Sequence, residues 1–463
     1  MKLLTPILLS PKSSGLAIPA IPEEVHFPDF CSSDLPHIAD NRRCTTSRRY
    51  RGSSLANTTL HRNSGEHPAF PEGTQGFGRT RSIDGLREFR KRTKLNNQNQ
   101  NNSLPAPDDK TSDEQQPQLT GFWGKCATIQ PNNFKFKSLS NWSFNTAVGC
   151  AHACRFCYVP SVSTIKLSPK LEKLGVDDPD SQWGDYVYLR HWDEGQFLRS
   201  LSQAENTPVD ELNPDGNRAV IYCSTTDPYQ VLRHPDPKMR RKLADHASHL
   251  VRRSLELIRD ESTLNVRILT RSPLAHRDFD LYRSFGDRLV FGMSLPTLDN
   301  KLAKIYEPHA PSPSQRLKTL HEAKEAGLHV FVAMAPTYPN GEGQDLRNTL
   351  TAIRELDPIT VFHEPINIRS ENVKRIEEHA RSLGVTVKTD VFDTRESWAD
   401  YALHALYLVE IIAEELGMTD RLHLWPDKSL GSKWMLKRFK DPDEHLSWLN
   451  HWWSRISEWP SAD

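Results

Sequence analysis

The stretch NTAVGCAHACRFCYVP, residues 145–160, places Cys150, Cys154 and Cys157 at the spacing C-x3-C-x2-C. Thiolates at these offsets can converge on one iron-sulfur cube, because a loop of this length wraps an object about the size of a side chain. Three protein ligands leave one iron of a four-iron cluster open. Electron-carrying ferredoxins cap every iron, whereas an uncapped iron can bind and act on a substrate, so the spacing points to catalysis rather than electron carriage. Zinc is the main competitor. Structural zinc sites, however, pair a C-x2-4-C unit with a second Cys or His pair downstream, and none is visible in this sequence. Disulfides are a poorer reading: seven cysteines is an odd number, and three so close together would close strained, very short loops. His152, inside the loop, is expected to face solvent rather than act as a fourth ligand.

Four further runs follow in order: IYCSTTDPYQ (221–230), VRILTRSPLAHRDFDL (266–281), VFGMSLPTLDNKLAKIYEPHAPSPSQRL (290–317) and VAMAPTYPN (332–340). With the cysteine triad and the aromatic Phe156 before its last member, they give a chain that resembles the radical S-adenosylmethionine superfamily from about residue 140 to about residue 430. Within it the resemblance is to the branch of spore photoproduct lyase and relatives labelled DNA repair photolyases. Many of those relatives carry Asn-Pro-Tyr before the first cysteine; here Asn145, Thr146 and Ala147 stand there and mark a variant subgroup.

The resemblance implies that Cys150, Cys154 and Cys157 hold a [4Fe-4S] cluster whose open iron is chelated by the amino and carboxylate groups of S-adenosyl-L-methionine. It further implies one-electron cleavage of the sulfonium to a 5′-deoxyadenosyl radical, hydrogen abstraction from a substrate, and a low-potential electron donor of the flavodoxin or ferredoxin type. Such chemistry demands a dry pocket and tight positioning. By the same resemblance, Ser224, Thr225 and Asp227 offer acceptors for the methionyl amino group, and Arg271 or Arg316 pairs with its carboxylate through a bidentate guanidinium. Ser294 would meet a ribose hydroxyl, and the backbone near Phe156 and Met334 would face adenine. Cys223 stands where spore photoproduct lyases use a thiol to return hydrogen to the product radical. A small buried hydrophobe is the competing reading, since strand alternation can turn Cys223 away from the interior. The substrate class that the analogy implies is a nucleic-acid lesion or modified nucleotide.

At 463 residues the chain has room for two or three domains, but 37% apolar residues with 32 prolines is a poor composition for a chain packed throughout. The deficit sits at the front. Residues 1–118 repeat Pro, Ser, Gly and Arg, end in NNQNQNNSLPAPDDKTSDEQQPQ, and show no sustained helical or strand period. Such a segment cannot bury enough apolar surface to offset its chain entropy, and a disordered low-complexity tail is expected. Formal net charge is zero, yet residues 41–95 carry thirteen Lys or Arg against four acidic residues. A basic arm of this kind associates with nucleic acid through counterion release; a solvated linker, or a mistaken start codon, is the plainer reading. Cys31 and Cys44 in this tail are assigned no role. Pro6 interrupts the short apolar run behind Lys2, so the start is not read as an export signal, and no stretch approaches the roughly 18 apolar residues of a membrane span. An oxygen-sensitive cluster adds the expectation of a cytoplasmic protein.

From residue 119 apolar strands alternate with amphipathic helices. Candidate strands are Trp142–Val148, Ala219–Cys223, Val266–Thr270, Leu289–Ser294, His329–Ala335 and Thr360–His363, with helices such as Met239–Arg259, Pro313–Ala326 and Gln344–Leu356 between them. Alternation of this kind means parallel pairing with crossover helices. Six repeats predict an α/β fold, a partial (β/α)6 barrel of TIM type, over residues 119–370. In barrels of this class the site lies at the C-terminal strand ends, and the distinctive residues fall there in turn. Residues 371–463 are expected to form a helical extension packed on the barrel, with Trp448, Trp452, Trp453 and Trp459 in its core rather than stacked on bases. A second function class stays open: a non-enzymatic nucleic-acid protein in which the cysteines hold zinc and the basic arm and Trp-rich end make the contacts.

Overall fold

The computed structural model describes residues 119–460 apart from Asn133, Lys135, Glu342 and Ser370. The tail at 1–118, its basic arm, Cys31 and Cys44 lie outside the described residues. Eleven strands are present among the described residues: β1 (Leu119–Cys126), β2 (Ile129–Pro131), β3 (Trp142–Phe144), β4 (Ala147–Gly149), β5 (Tyr186–His191), β6 (Ala219–Tyr222), β7 (Asn265–Thr270), β8 (Leu289–Ser294), β9 (His329–Thr337), β10 (Thr360–Pro365) and β11 (Leu422–Leu424).

The main sheet has the order β11-β10-β9-β8-β7-β6-β3-β2. Its strands pair in parallel except β2, which runs antiparallel to β3 at one edge. Among the described residues no ladder joins β2 to β11, so the sheet is open, a partial barrel. Every residue of β6 and β8 is buried, as expected of parallel strands covered on both faces. Side chains alternate. Val220, Tyr222, Phe291, Met293, Val330 and Val332 pack outward against helices that include Leu250, Leu255 and Leu320, while Ile221, Val290, Phe331 and Phe362 form an inner layer with Leu139 and Trp425. Gly292 has a packing reason: a Cβ there would meet the Phe331 ring at 2.5 Å.

The crossover helices begin and end on local signals. Asp236 caps helix Pro237–Glu261, accepting from the Lys238 and Met239 backbone N–H groups ahead of the first-turn proline. Helix Pro313–Glu325 opens with a capping box between Ser312 and Gln315 and is followed by Gly327 at φ +79°.

Two differences from the sequence reading matter. The stretch read as one strand, Trp142–Val148, is two: β3 pairs with β6, then the chain turns at Asn145 and Thr146, and β4 pairs antiparallel with β5 in a separate three-stranded sheet, order β1-β5-β4. The break occurs because Asn145 is committed to the end of β6, as described below, while the Thr146 carbonyl accepts from the Arg190 backbone 2.9 Å away. The main sheet also has two strands more than the six expected, β2 at one edge and β11 at the other. β11, from the segment read as helical, adds to β10, and a three-residue strand is too short to declare a period. Around it the tryptophans pack: Trp452 is fully buried, Trp448 lies against Tyr407 and Phe439, Trp453 stacks on Phe136, and the Trp459 indole donates to the Asp287 carbonyl at 2.9 Å. No helix among the described residues is long and apolar enough to cross a membrane.

Candidate active site

Because β4 leaves the main sheet, the cysteine loop is suspended between the small sheet and the C-terminal ends of the parallel strands. Its entry needs glycine. Gly149 has φ +92°, and a Cβ there would fall 2.1 Å from the Tyr186 carbonyl oxygen. Ala153 takes the left-handed conformation at φ +54°, and Gly184 passes so close that its own Cβ would sit 2.3 Å from that of Ala153.

The loop is held from outside. The Thr226 hydroxyl donates to the Gly149 carbonyl (2.6 Å), the Ala151 backbone N–H donates to Gln230 Oε1 (2.7 Å), and the Arg155 N–H donates to the Tyr306 carbonyl (2.8 Å). On the far side Asn372 and Arg375, from helix Asn372–Ser382, donate to the carbonyls of Phe156, Arg155 and Cys157. His152 corrects the sequence reading: it is buried, with Nε2 3.1 Å from Asp227 Oδ2. A buried carboxylate draws the imidazole inward, where a position between two ligands had suggested exposure.

Asp227 ties three elements together. Its carboxylate accepts from the Tyr229 backbone N–H (2.8 Å), the Thr270 hydroxyl (2.8 Å) and the Arg271 backbone N–H (2.8 Å), besides its approach to His152. Burial pushes this carboxyl up, but His152 and the backbone donors outweigh it and hold it below the ordinary aspartate value. Ser224 and Thr225, just before it, are bound to Asn145: its amide nitrogen donates to the Ser224 hydroxyl (3.0 Å), and its carbonyl oxygen accepts from the Thr225 backbone and hydroxyl (2.9 Å each).

Arg271 and Arg316 converge on one carboxylate that sequence reasoning did not single out, Glu307. Arg271 Nε donates to Oε1 at 2.7 Å and Arg316 Nη2 to Oε2 at 2.5 Å. Arg316 is 1% exposed, its Nη1 donates to the Ser294 carbonyl and its Nε to the Pro311 carbonyl, so each of its nitrogens already has a protein acceptor. Arg271 keeps a fifth of its side chain exposed and lies over the Phe156 ring, 5.8 Å from its centroid. Tyr338 stacks on Tyr306 at 4.1 Å and has a buried hydroxyl without a hydrogen-bond partner among the described residues. Glu307 was already in view within YEPHAPSPSQR, as the one carboxylate in that run.

Ser294 is buried at the end of β8, and the Met334 carbonyl in β9 accepts from His363 Nδ1 at 2.9 Å. Cys223 is buried immediately after β6, with Sγ 3.7 Å from the Thr146 hydroxyl. Burial pushes its thiol up to about 12.

The loop thiols are also pushed up by burial, Cys154 to about 12, with Arg271 acting against the shift there. Thiols so desolvated ionise only beside a compensating positive centre. Among the described residues no three His, Cys, Asp or Glu side chains gather as they would around a single ion. A four-iron cube asks for something else, because each thiolate binds a different iron. Three soft donors on one loop, with the only histidine between them turned to Asp227, fit a cube with one open corner.

The family model described as Radical SAM superfamily matches residues 144–353. The chain is 33% identical over 248 residues to the uncharacterized protein ORF301 of Acidianus two-tailed virus, covering 52% of this chain and 72% of that one. It is 23% identical to the uncharacterized protein MJ0683 of Methanocaldococcus jannaschii, covering 50% and 72% respectively. Among solved structures, spore photoproduct lyase complexed with dinucleoside spore photoproduct is similar with a TM-score of 0.46 at 14% identity, covering 73% of this chain and 93% of that one. The radical S-adenosylmethionine methyltransferase TsrM from Kitasatospora setae is similar with a TM-score of 0.30 at 17% identity, covering 49% and 34%. Cysteine loop, strand-end residues and family model coincide, and the chain belongs to the radical SAM superfamily.

Proposed function

We propose that Cys150, Cys154 and Cys157 hold a [4Fe-4S] cluster and that the protein uses it to cleave S-adenosyl-L-methionine reductively. The observation that carries this reading is the loop itself: three closely spaced thiols, Cys154 buried and Cys150 and Cys157 half-buried, with no fourth ligand among the described residues, beside a strand-end array of hydroxyls and one accessible guanidinium. A cluster held there would supply the single electron that reductive cleavage of the sulfonium, and with it radical hydrogen abstraction, requires. The chain's own residues bind and orient. Asp227 has its lone pairs occupied by protein donors, so the methionyl amino group falls to the Ser224 and Thr225 hydroxyls. Arg271, the more exposed of the two arginines, takes the carboxylate, and Glu307 fixes its orientation. Ser294 serves the ribose, and backbone near Phe156 and Met334 the adenine. The buried stack of Tyr306 and Tyr338 keeps this wall dry.

The substrate class in this proposal, a nucleic-acid lesion or modified nucleotide, rests on the motif resemblance. So do the low-potential electron donor and the hydrogen-donor role of Cys223, while the cytoplasmic location rests on the oxygen sensitivity of such a cluster. Less favours the rival, a zinc-holding nucleic-acid protein: among the described residues no three donors gather as a single ion requires, and Trp448, Trp452, Trp453 and Trp459 are occupied in packing or hydrogen bonding.

The deciding experiment supplies S-adenosylmethionine to anaerobically reconstituted, dithionite-reduced protein and measures 5′-deoxyadenosine beside a Cys150→Ala control. Product that disappears in the control supports the proposal. Brown, reducible protein that forms none with or without candidate substrates counts against it.

A further inference from the structure

Helix Asn372–Ser382 lies beyond the residues matched by the family model, yet it reaches back to the third cysteine. Asn372 and Arg375, one turn apart on one face, touch three consecutive loop carbonyls. Asn372 Nδ2 donates to the Phe156 carbonyl at 3.2 Å, Arg375 Nε to that of Arg155 at 3.2 Å, and Arg375 Nη2 to that of Cys157 at 2.6 Å. The remaining nitrogen, Nη1, is ion-paired with Asp180, and the side chains of this pair are 4% and 6% exposed. Ser161 Oγ steadies the other Asp180 oxygen at 2.8 Å.

We propose that Arg375 and Asp180 act together as a positioning pair that tunes the reduction potential of the cluster held by this loop; the inference rests on the reading that Cys150, Cys154 and Cys157 hold one. Reduction adds one electron, taken from the external donor, to a centre enclosed in a medium of low dielectric. A nearby cation stabilises that added charge, and a nearby anion opposes it. The two nitrogens that face the loop belong to Arg375, while Asp180 meets the third, so the guanidinium is the nearer charge and the carboxylate moderates it. Asn372 adds geometry without charge.

The test compares reconstituted parent, Arg375→Gln, Arg375→Lys and Asp180→Asn proteins in a redox titration followed by electron paramagnetic resonance, with iron retention under chelator as a second readout. Arg375→Gln is expected to move the midpoint to more negative potential and Asp180→Asn to more positive potential. Arg375→Lys keeps the charge but not the fork, so its midpoint stays near the parent's while iron is lost faster. A pair that merely held the loop together would not shift the midpoint in opposite senses. Midpoints that coincide with the parent's, or that move the same way in Arg375→Gln and Asp180→Asn, overturn the proposal. Should Arg375→Gln fail to fold, Asp180→Asn carries the sign: a midpoint unmoved or more negative overturns it equally. Parent protein that takes up no iron-sulfur centre would instead sink the underlying reading, and the pair's role with it.

Discussion

Glu307→Gln is expected to destabilise the fold by about 3–5 kcal/mol at neutral pH, the range for breaking a buried charge pair from one side. The side chain is 0% exposed and receives Arg271 at 2.7 Å and Arg316 at 2.5 Å. Glutamine keeps the shape and one acceptor oxygen but turns an NH2 toward the second guanidinium, leaving a donor against a donor and a cation without its counterion. Water recovers part of this at Arg271, which is 20% exposed, and none at Arg316. The lower end, about 3 kcal/mol, is therefore the working figure, roughly two powers of ten in the folding equilibrium. The pH dependence has a fixed sign. Burial pushes the Glu307 carboxyl up, but Arg316 and Arg271 outweigh it and hold it below the usual carboxylate range. A depressed native value means that the contribution is complete above the unfolded value of about 4.3 and is lost as pH falls through the native one. Urea midpoints of parent and variant, followed by tryptophan fluorescence on metal-free protein, should stand apart at pH 7 and converge in acid. A variant within about 1 kcal/mol of the parent at pH 7, the worth of an exposed pair, would refute the reasoning, as would a gap that does not change as the solution is acidified.

Gly149→Ala should prevent iron uptake, because its Cβ would strike the Tyr186 carbonyl oxygen at 2.1 Å in a left-handed conformation; parent-like iron content after reconstitution would contradict this. Cys223, buried with its thiol pushed up to about 12, should resist iodoacetamide in the native protein at pH 8, as peptide mapping would show, whereas labelling at the rate of a free thiol would place it at the surface. Burial holds the His363 imidazole down to about 4, so the unfolded chain takes up its proton first as pH falls; about 3 kcal/mol of stability is expected to drain away between roughly pH 6.5 and 4. Urea midpoints that hold level across that window, or a His363→Asn variant with the parent's slope, would speak against it.

The strand and helix alternation was readable because long parallel strands and their helices repeat a period, and β6 to β10 lie within a residue or two of their expected places. Short elements were not. β4 has three residues and pairs with β5, whose partners no local pattern announces, and β11 declares itself only by burial against β10. The cysteine loop and the strand-end residues stood out by residue type and order. What surrounds them did not, because side-chain partnerships across the sheet leave no spacing to count. Glu307 needed the structure to show that Arg271, just past the end of β7, and Arg316, in helix Pro313–Glu325, meet on it. Arg316 looked like a ligand arm for the same reason: exposure cannot be read from identity alone. His152 was expected in solvent from its place inside the loop, and Asp227, 75 positions later, is what draws it in.

The clasp that Arg375 places on Cys157 joins residues 218 positions apart, and so orders events in time. At a synthesis rate of about 5–20 residues per second, roughly ten to forty seconds separate the emergence of the third cysteine from that of the arginine that secures it. Throughout that interval three thiols wait on an unfinished scaffold. On the proposed reading of the loop, assembly of a cluster there falls late, after the sheet has formed and the distal helix has docked, and a chain cut short before residue 375 would present its cysteines without the grip that Arg375 gives Cys157.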